Sequence, residues 1–471
     1  MVFQRPWSNS TLIFRMCSVS SGGALTLSDI TINGGKIVQV ETQPTRNTAA
    51  LTINAGTILH VNISTGNAVA LLGGKSVMDG GTIRGGSKGV NLEKGAAFEM
   101  SGGEFEYCDY AIYNAGVVSI SGTATFPTST PNSTGVYING GTLTLQDATI
   151  FGTSCGVRLS TYGNFEMNSG TVISNWDAVR VVEDTSRFTL NDGTVSAGTS
   201  GKTAVVITMG TFNMNGGTVI GGSSCGVGYN LAGTSSTGGA FNLNGGTVSA
   251  KDPETGTAIN VYSPDFTLNG AAATVNGRIN LPSSSYAINL SGAPTDSKTF
   301  DVTVSSSHAS GVSVVTPTGS LMDASGYEKN FVLKNNTDKF TIGGYKNDLI
   351  LLEIGIYLDG VNGNDGNTGR SPAQAVKTFA EAKAKLLTLA QEQKENTSFV
   401  PHIFLCGEVT VNSNEGTWDL SEVNAVKSGW TADIRRFTNK NFKPVYLVQI
   451  SGGSVTLSNI VVDGLQNTST G

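Results

Sequence analysis

The chain is built from short runs in which apolar and polar residues alternate, broken every few positions by Gly, Asn, Ser or Asp. The clearest runs are FEMSGGEF (98–105), FEMNSGTV (165–172), FTLNDGTV (188–195), FNMNGGTV (212–219) and FNLNGGTV (241–248), and FTLNG recurs at 266–270. Degenerate copies read LTINAGTI (51–58), VMDGGTI (77–83) and LTLQDATI (143–150). The starts at 165, 188, 212, 241 and 266 lie 23, 24, 29 and 25 residues apart. Between them falls a second motif, Gly or Ala followed by Val or Ile, as in GVN (89–91), AIY (111–113), GVY (135–137), GVR (156–158) and AVR (178–180). Period-two alternation puts Phe212 and Met214 on one side of an extended strand. Each unit therefore reads as about three short strands separated by turns.

Three strands cannot bury an apolar face alone, whereas coils stacked on one another bury it continuously. Aligning the copies predicts three vertical ladders. The first runs Phe98, Val118, Leu143, Phe165, Phe188, Phe212, Phe241 and Phe266. The second runs Met100, Ile120, Leu145, Met167, Leu190, Met214, Leu243 and Leu268. The third runs Phe105, Phe126, Ile150, Val172, Val195, Val219, Val248 and Val275. Asn168, Asn191, Asn215, Asn244 and Asn269 follow the second ladder on successive coils and are expected to form an amide ladder, because a carboxamide both donates and accepts.

These repeats resemble the right-handed parallel β-helix of pectate-lyase-like proteins and, more narrowly, the Gly-rich β-helix repeat proteins of bacterial cell surfaces. The resemblance implies an all-β solenoid, a right-handed single-stranded parallel β-helix of about ten coils over 1–290. Residues 291–355 read as a β-rich end cap or small β-domain. Residues 356–471 read as the N-terminal cap and first strands of a second β-helix module, with a helix at about 371–395. Ser371 is expected to cap that helix, with Pro372 at its first position and Gln374 closing a capping box. The segment VQISGGSVTLSNIVVDG (448–464) parallels CSVSSGGALTLSDITING (17–34), with Gly452-Gly453 matching Gly22-Gly23. Tandem neighbour modules are the expectation that follows.

Composition narrows the function. Gly is 61 of 471 residues, about 13%, against an ordinary ~7%. Lys+Arg number 29 against 35 Asp+Glu, for a net charge of −6, and no basic run exists, which argues against a nucleic-acid platform. No run of 18 apolar residues is present, so no membrane-spanning helix is expected, and the first residues do not read as a signal peptide. The five cysteines are scattered and read as isolated buried thiols.

The residue after each Gly/Ala–Val/Ile pair should point outward, which gives a strip of Asn91, Tyr113, Tyr137, Arg158 and Arg180. Tyrosines stack on sugar rings and Arg pairs with carboxylates, so glycans or cell-surface proteins are the expected partners. The plainer reading is surface decoration. A lyase would need a base beside acidic residues on one face, and Asp177 with Arg158 or Arg180 is the best available set. A two-carboxylate hydrolase would draw on Asp109, Asp177, Glu183 and Asp184. Neither set sits in a family catalytic motif. Asp359, Asn362, Asn364 and Asp365 offer oxygens that Ca²⁺ could use; otherwise they form a turn feeding the helix. Arg84 and Glu106 are expected to pair across adjacent coils. The resemblance thus implies a non-catalytic structural or adhesive module of an extracellular, cell-surface protein. The alternatives are a carbohydrate-binding or polysaccharide-cleaving β-helix and a trimeric fibre.

Overall fold

The computed structural model describes residues 66–126, 133–198, 202–229, 239–411, 416–437, 448–451 and 454–463, together with short strands between 2 and 59. Residues 4–14, the Cys17 side chain and the Gly22-Gly23 and Gly452-Gly453 pairs lie outside the described residues. Two compact units, Met1–Asn280 and Leu281–Gly471, make up the chain.

The first unit is a right-handed parallel β-solenoid of about ten turns. Three strand stacks run through it, and strands in each pair in parallel from one coil to the next. Cys155–Ser160, Asp177–Val181, Thr203–Ile207 and Cys225–Tyr229 form part of one stack. Asn164–Met167, Arg187–Leu190, Thr211–Met214 and Ala240–Leu243 belong to the second. Thr149–Gly152, Thr171–Ser174, Thr194–Ala197 and Thr218–Ile220 belong to the third.

Register follows the apolar pattern. Leu143 pairs with Phe165, Phe165 with Phe188, Phe188 with Phe212 and Phe212 with Phe241. All five side chains are buried. The rings of Phe165, Phe188, Phe212 and Phe241 lie nearly parallel, with centroids 4.8, 4.7 and 4.9 Å apart in turn. That spacing is the distance between hydrogen-bonded strands, so the backbone ladder itself sets the ring stack.

The Gly/Ala of the second motif has a steric cause. A Cβ added at Gly156 would lie 2.6 Å from Val172 Cγ1, and one at Gly226 would lie 2.8 Å from Val248 Cγ1. The third ladder presses on this column, so it takes Gly or Ala: Ala111, Ala178, Ala204 and Ala258 are fully buried there.

At the turns the asparagines bond along the stack. Asn191 donates to Asn168 at 2.8 Å, Asn215 to Asn191 at 2.9 Å and Asn244 to Asn215 at 3.0 Å. Asn269 departs from the expected ladder: its Oδ1 accepts from the N–H groups of Ala271 and Ala272. The repeat reads NGAAAT here instead of NGGT, and the added turn residues take that oxygen. Gly217 holds φ +70, a conformation that costs glycine little. Arg84 and Glu106 pair at 3.2 Å; with side chains 46% and 35% exposed, the bridge contributes about 0–1 kcal/mol.

The second unit mixes strand directions. Phe340–Tyr345 and Asp348–Glu353 form an antiparallel hairpin. Phe300–Val304 and Phe331–Leu333 pair in parallel. Ile356–Leu358, His402–Leu405, Asp433–Arg436 and Val461–Asp463 then build a parallel four-stranded sheet. Phe379, Ala382, Leu386, Leu389 and Ala390 of the helix join its core, with Phe379 stacked on Trp418 at 4.5 Å. Among the described residues no helix is long and apolar enough to cross a membrane.

The helix itself corrects the sequence expectation. It spans Phe379–Glu392, and its cap is Thr378, which accepts from the Glu381 N–H at 3.3 Å. Ser371 precedes only the short 3-10 turn Pro372–Gln374 and makes no capping bond; its hydroxyl donates to Glu328 instead. Residues after that turn run extended because Val376 bridges Leu358, with Val376 N–H on Tyr357 O and Asp359 N–H on Val376 O, each 2.9 Å. A segment bonded in that way cannot also be helical.

Candidate ligand-binding face

The outward residues of the first strand stack fall in one register column. Asn91 pairs with Tyr113, Tyr113 with Tyr137, Tyr137 with Arg158 and Arg158 with Arg180. Asn91 is buried and the other four are half-buried. Tyr113 and Tyr137 meet at 4.9 Å with their rings tilted edge to face. Tyr110 lies 5.9 Å from Tyr113 and 5.6 Å from Tyr137, completing a three-ring cluster. Lys88 closes one side, its Nζ 3.4 Å from the Tyr113 ring centre and 3.1 Å from Asn91 Oδ1. Asn91 in turn donates to Glu93 at 3.0 Å. The Arg158 guanidinium lies 5.5 Å from the Tyr137 centre on the other side, and its buried Nε has no hydrogen-bond partner.

Burial tunes the polar groups of the cluster. Desolvation pushes the Tyr113 hydroxyl above its ordinary pKa, so it stays a neutral donor. Asn139 Nδ2 donates to that hydroxyl at 3.0 Å, leaving its own O–H directed elsewhere. Desolvation also lowers the Lys88 ammonium from its ordinary value. The face thus offers aromatic surface, hydroxyl donors and two cations within one patch.

Lys88 and Tyr110 were not expected on this face. Strict alternation would turn residue 88 inward when residue 91 points out. Here two consecutive residues face the core: Val90 is fully buried, and a Cβ at Gly89 would meet the Phe105 ring at 2.8 Å. Residues 88 and 91 are thereby both outward. The small residue of the second motif is the signal that marks this break.

The acidic candidates are differently placed. Asp177 is 6% exposed. Its Oδ2 accepts from Arg180 Nε at 2.9 Å and Nη2 at 2.6 Å, and its Oδ1 from the Thr203 N–H at 3.3 Å. Both oxygens are committed to holding neighbouring groups. Glu183 and Asp184 stand past the far end of the strand Asp177–Val181, and Asp109 precedes the strand Tyr110–Asn114. Among the described residues no group of three or more His, Cys, Asp or Glu side chains is gathered as a metal site.

In the loop before the helix, Asp359 Oδ1 accepts from the N–H groups of Val361 and Asn362 at 3.0 and 2.9 Å. Asp365 Oδ1 accepts from those of Lys377 and Thr378, each at 2.9 Å, and Asn364 Oδ1 from that of Gly366. Asn362 contributes its amide as a donor to Asp359 Oδ2. These oxygens close the loop on its own backbone.

Elsewhere in the second unit, buried His402 and Asp433 join through Nδ1 and Oδ1, and Arg435 Nε braces Asp433 Oδ2 at 2.7 Å. Comparison with family models, with curated proteins and with solved structures finds no match.

Proposed function

We propose that the chain is a non-catalytic adhesive module of an extracellular, cell-surface protein, and that the tyrosine face of its solenoid binds glycans. The observation that carries this reading is the Tyr110–Tyr113–Tyr137 cluster, contiguous, half-exposed and flanked by Lys88 and Arg158. Aromatic rings present flat apolar faces with polar tips, which suits a sugar with one apolar face and a rim of hydroxyls. Register fixes the spacing of these groups, so the face is preorganised and little ordering entropy opposes binding. The committed oxygens of Asp177 support a binding role over a cleaving one. The extracellular setting and the tandem neighbours rest on the β-helix resemblance. The match of 448–464 to 17–34 supports the tandem arrangement, and strands overlap at the matching positions, Ala24–Leu27 with Thr456–Ser458 and Ile30–Asn33 with Val461–Asp463.

A panel of immobilised oligosaccharides tests the reading. Wild-type protein should bind a subset, and Tyr113→Ala and Tyr137→Ala should each weaken that binding about tenfold, or about 1.4 kcal/mol, as for an aromatic anchor. Equal binding by wild type and both variants would overturn it.

A further inference from the structure

The outward column continues beyond Arg180 but loses its long side chains. The next two coils place Val206 and then Gly228 in the same register. At this drop lies a recess of about 310 Å³. That is the small end of ligand sites, roughly 300–1,000 Å³, and fits one sugar residue.

Its chemistry is one-sided. Trp176, 45% exposed, lines it, and Lys202 Nζ sits 3.9 Å from the Trp176 ring centre. Among the described residues no carboxylate pairs with Lys202. Asp177 also lines the recess, but its charge is paired with Arg180 and its Oδ1 accepts from the Thr203 N–H, while Arg180 keeps N–H groups to spare. The buried Tyr229 hydroxyl has no hydrogen-bond partner. Asn260 also lines the recess, its Oδ1 accepting from Asn280 at 2.8 Å. Donors and positive charge are left over, so the missing partner must bring acceptors, negative charge and an apolar face.

We propose that this recess binds a single carboxylate-bearing sugar residue, its carboxylate on Lys202 and Arg180 and its ring against Trp176 and Val206. The proposal rests on reading this face as a glycan surface, but its residues are separate from the tyrosine cluster. A carboxylate here gains charge-assisted hydrogen bonds, which are about twice as strong as neutral ones. Tyr229 Oη selects for a hydroxylated ring, because an unfilled buried donor costs free energy that the ligand relieves.

Calorimetric titration of the full chain with glucuronic acid, N-acetylneuraminic acid and glucose tests it. The two acids should bind at least about tenfold more tightly than glucose. Lys202→Gln should weaken the acids about tenfold or more. Tyr229→Phe should weaken them severalfold with no loss of thermal stability, an outcome that a purely structural hydroxyl would not give. The loss caused by Lys202→Gln should persist in a Tyr113→Ala background, so failure of the tyrosine cluster and failure of the recess are read separately. Equal binding of acids and glucose, no binding of either acid, or full binding by Lys202→Gln would overturn the proposal.

Discussion

If the backbone ladder sets the phenylalanine stack, ring pairs should contribute stability that depends on adjacency. Phe212 is the best position to test this. It is fully buried, with Phe188 at 4.7 Å and Phe241 at 4.9 Å, both near parallel. Leu143 occupies the same ladder without disrupting it, so Phe212→Leu should be housed with its burial largely kept. What is lost is two aromatic pairs, each worth about 0.5–1.5 kcal/mol beyond area, or about 1–3 kcal/mol in all. Phe212→Ala should cost more, about 3–5 kcal/mol, because it also leaves a cavity. Equilibrium denaturation of a double-mutant cycle isolates the pair term. Phe188→Leu with Phe212→Leu should couple by about 0.5–1.5 kcal/mol. Phe165→Leu with Phe241→Leu, which do not stack on each other, should be additive within about 0.3–0.5 kcal/mol. Equal coupling for both cycles, or none for the adjacent pair, would refute the reasoning.

Gly226→Ala should cost about 1–3 kcal/mol by overpacking against Val248, and an unchanged melting temperature would contradict the packing argument. Burial pushes the Cys108 and Cys155 thiols up to about 12 and raises Cys225 and Cys406 as well. Because the thiolate is the reactive form, a maleimide at about pH 8 should label these four only after denaturation. The same raised values help folding only while the thiols stay protonated. Melting temperature should therefore fall as pH rises from about 9, the unfolded thiol range, toward 12. Partial desolvation pushes the Asp365 carboxyl up, but hydrogen bonds from Thr378 and Lys377 outweigh it and hold the carboxyl below its ordinary value. Its stabilisation is thus present above the ordinary Asp range and lost as pH falls through the lowered value, and Asp365→Ala should shrink the acid limb of a melting-temperature profile while loosening hydrogen-exchange protection at Phe379–Glu392.

Much of the solenoid is legible in the sequence, because a repeat combined with period-two alternation determines which residue stacks on which. The three apolar ladders and the column from Asn91 to Arg180 follow from that rule alone. Lys88 and Tyr110 escaped it where two neighbouring residues both turn inward, at Gly89-Val90 and at Ala111-Ile112, breaks in alternation that the small Gly or Ala accommodates. The start of the helix escaped it for a different reason. Ser371 carries the local cap signal, but Val376 is held extended by Tyr357 and Asp359, a partnership that local patterning does not encode. Asn269 failed to join its ladder because its oxygen had nearer donors in Ala271 and Ala272. The recess beside Trp176 was hidden because it lies where the outward column drops from Arg180 to Val206 and Gly228, and patterns of long side chains do not show such a drop.

A tyrosine face that binds glycans without cutting them should carry a labelled sugar and release it whole. Labelled neutral oligosaccharides from host-type and bacterial-wall glycans, incubated with wild type and Tyr113→Ala and then separated by size exclusion, give the test. Label should move to the protein's elution position with wild type, return largely to the free position with Tyr113→Ala, and keep its length after release. Shortened label would contradict the non-catalytic reading, and free label with both proteins would contradict the binding face itself.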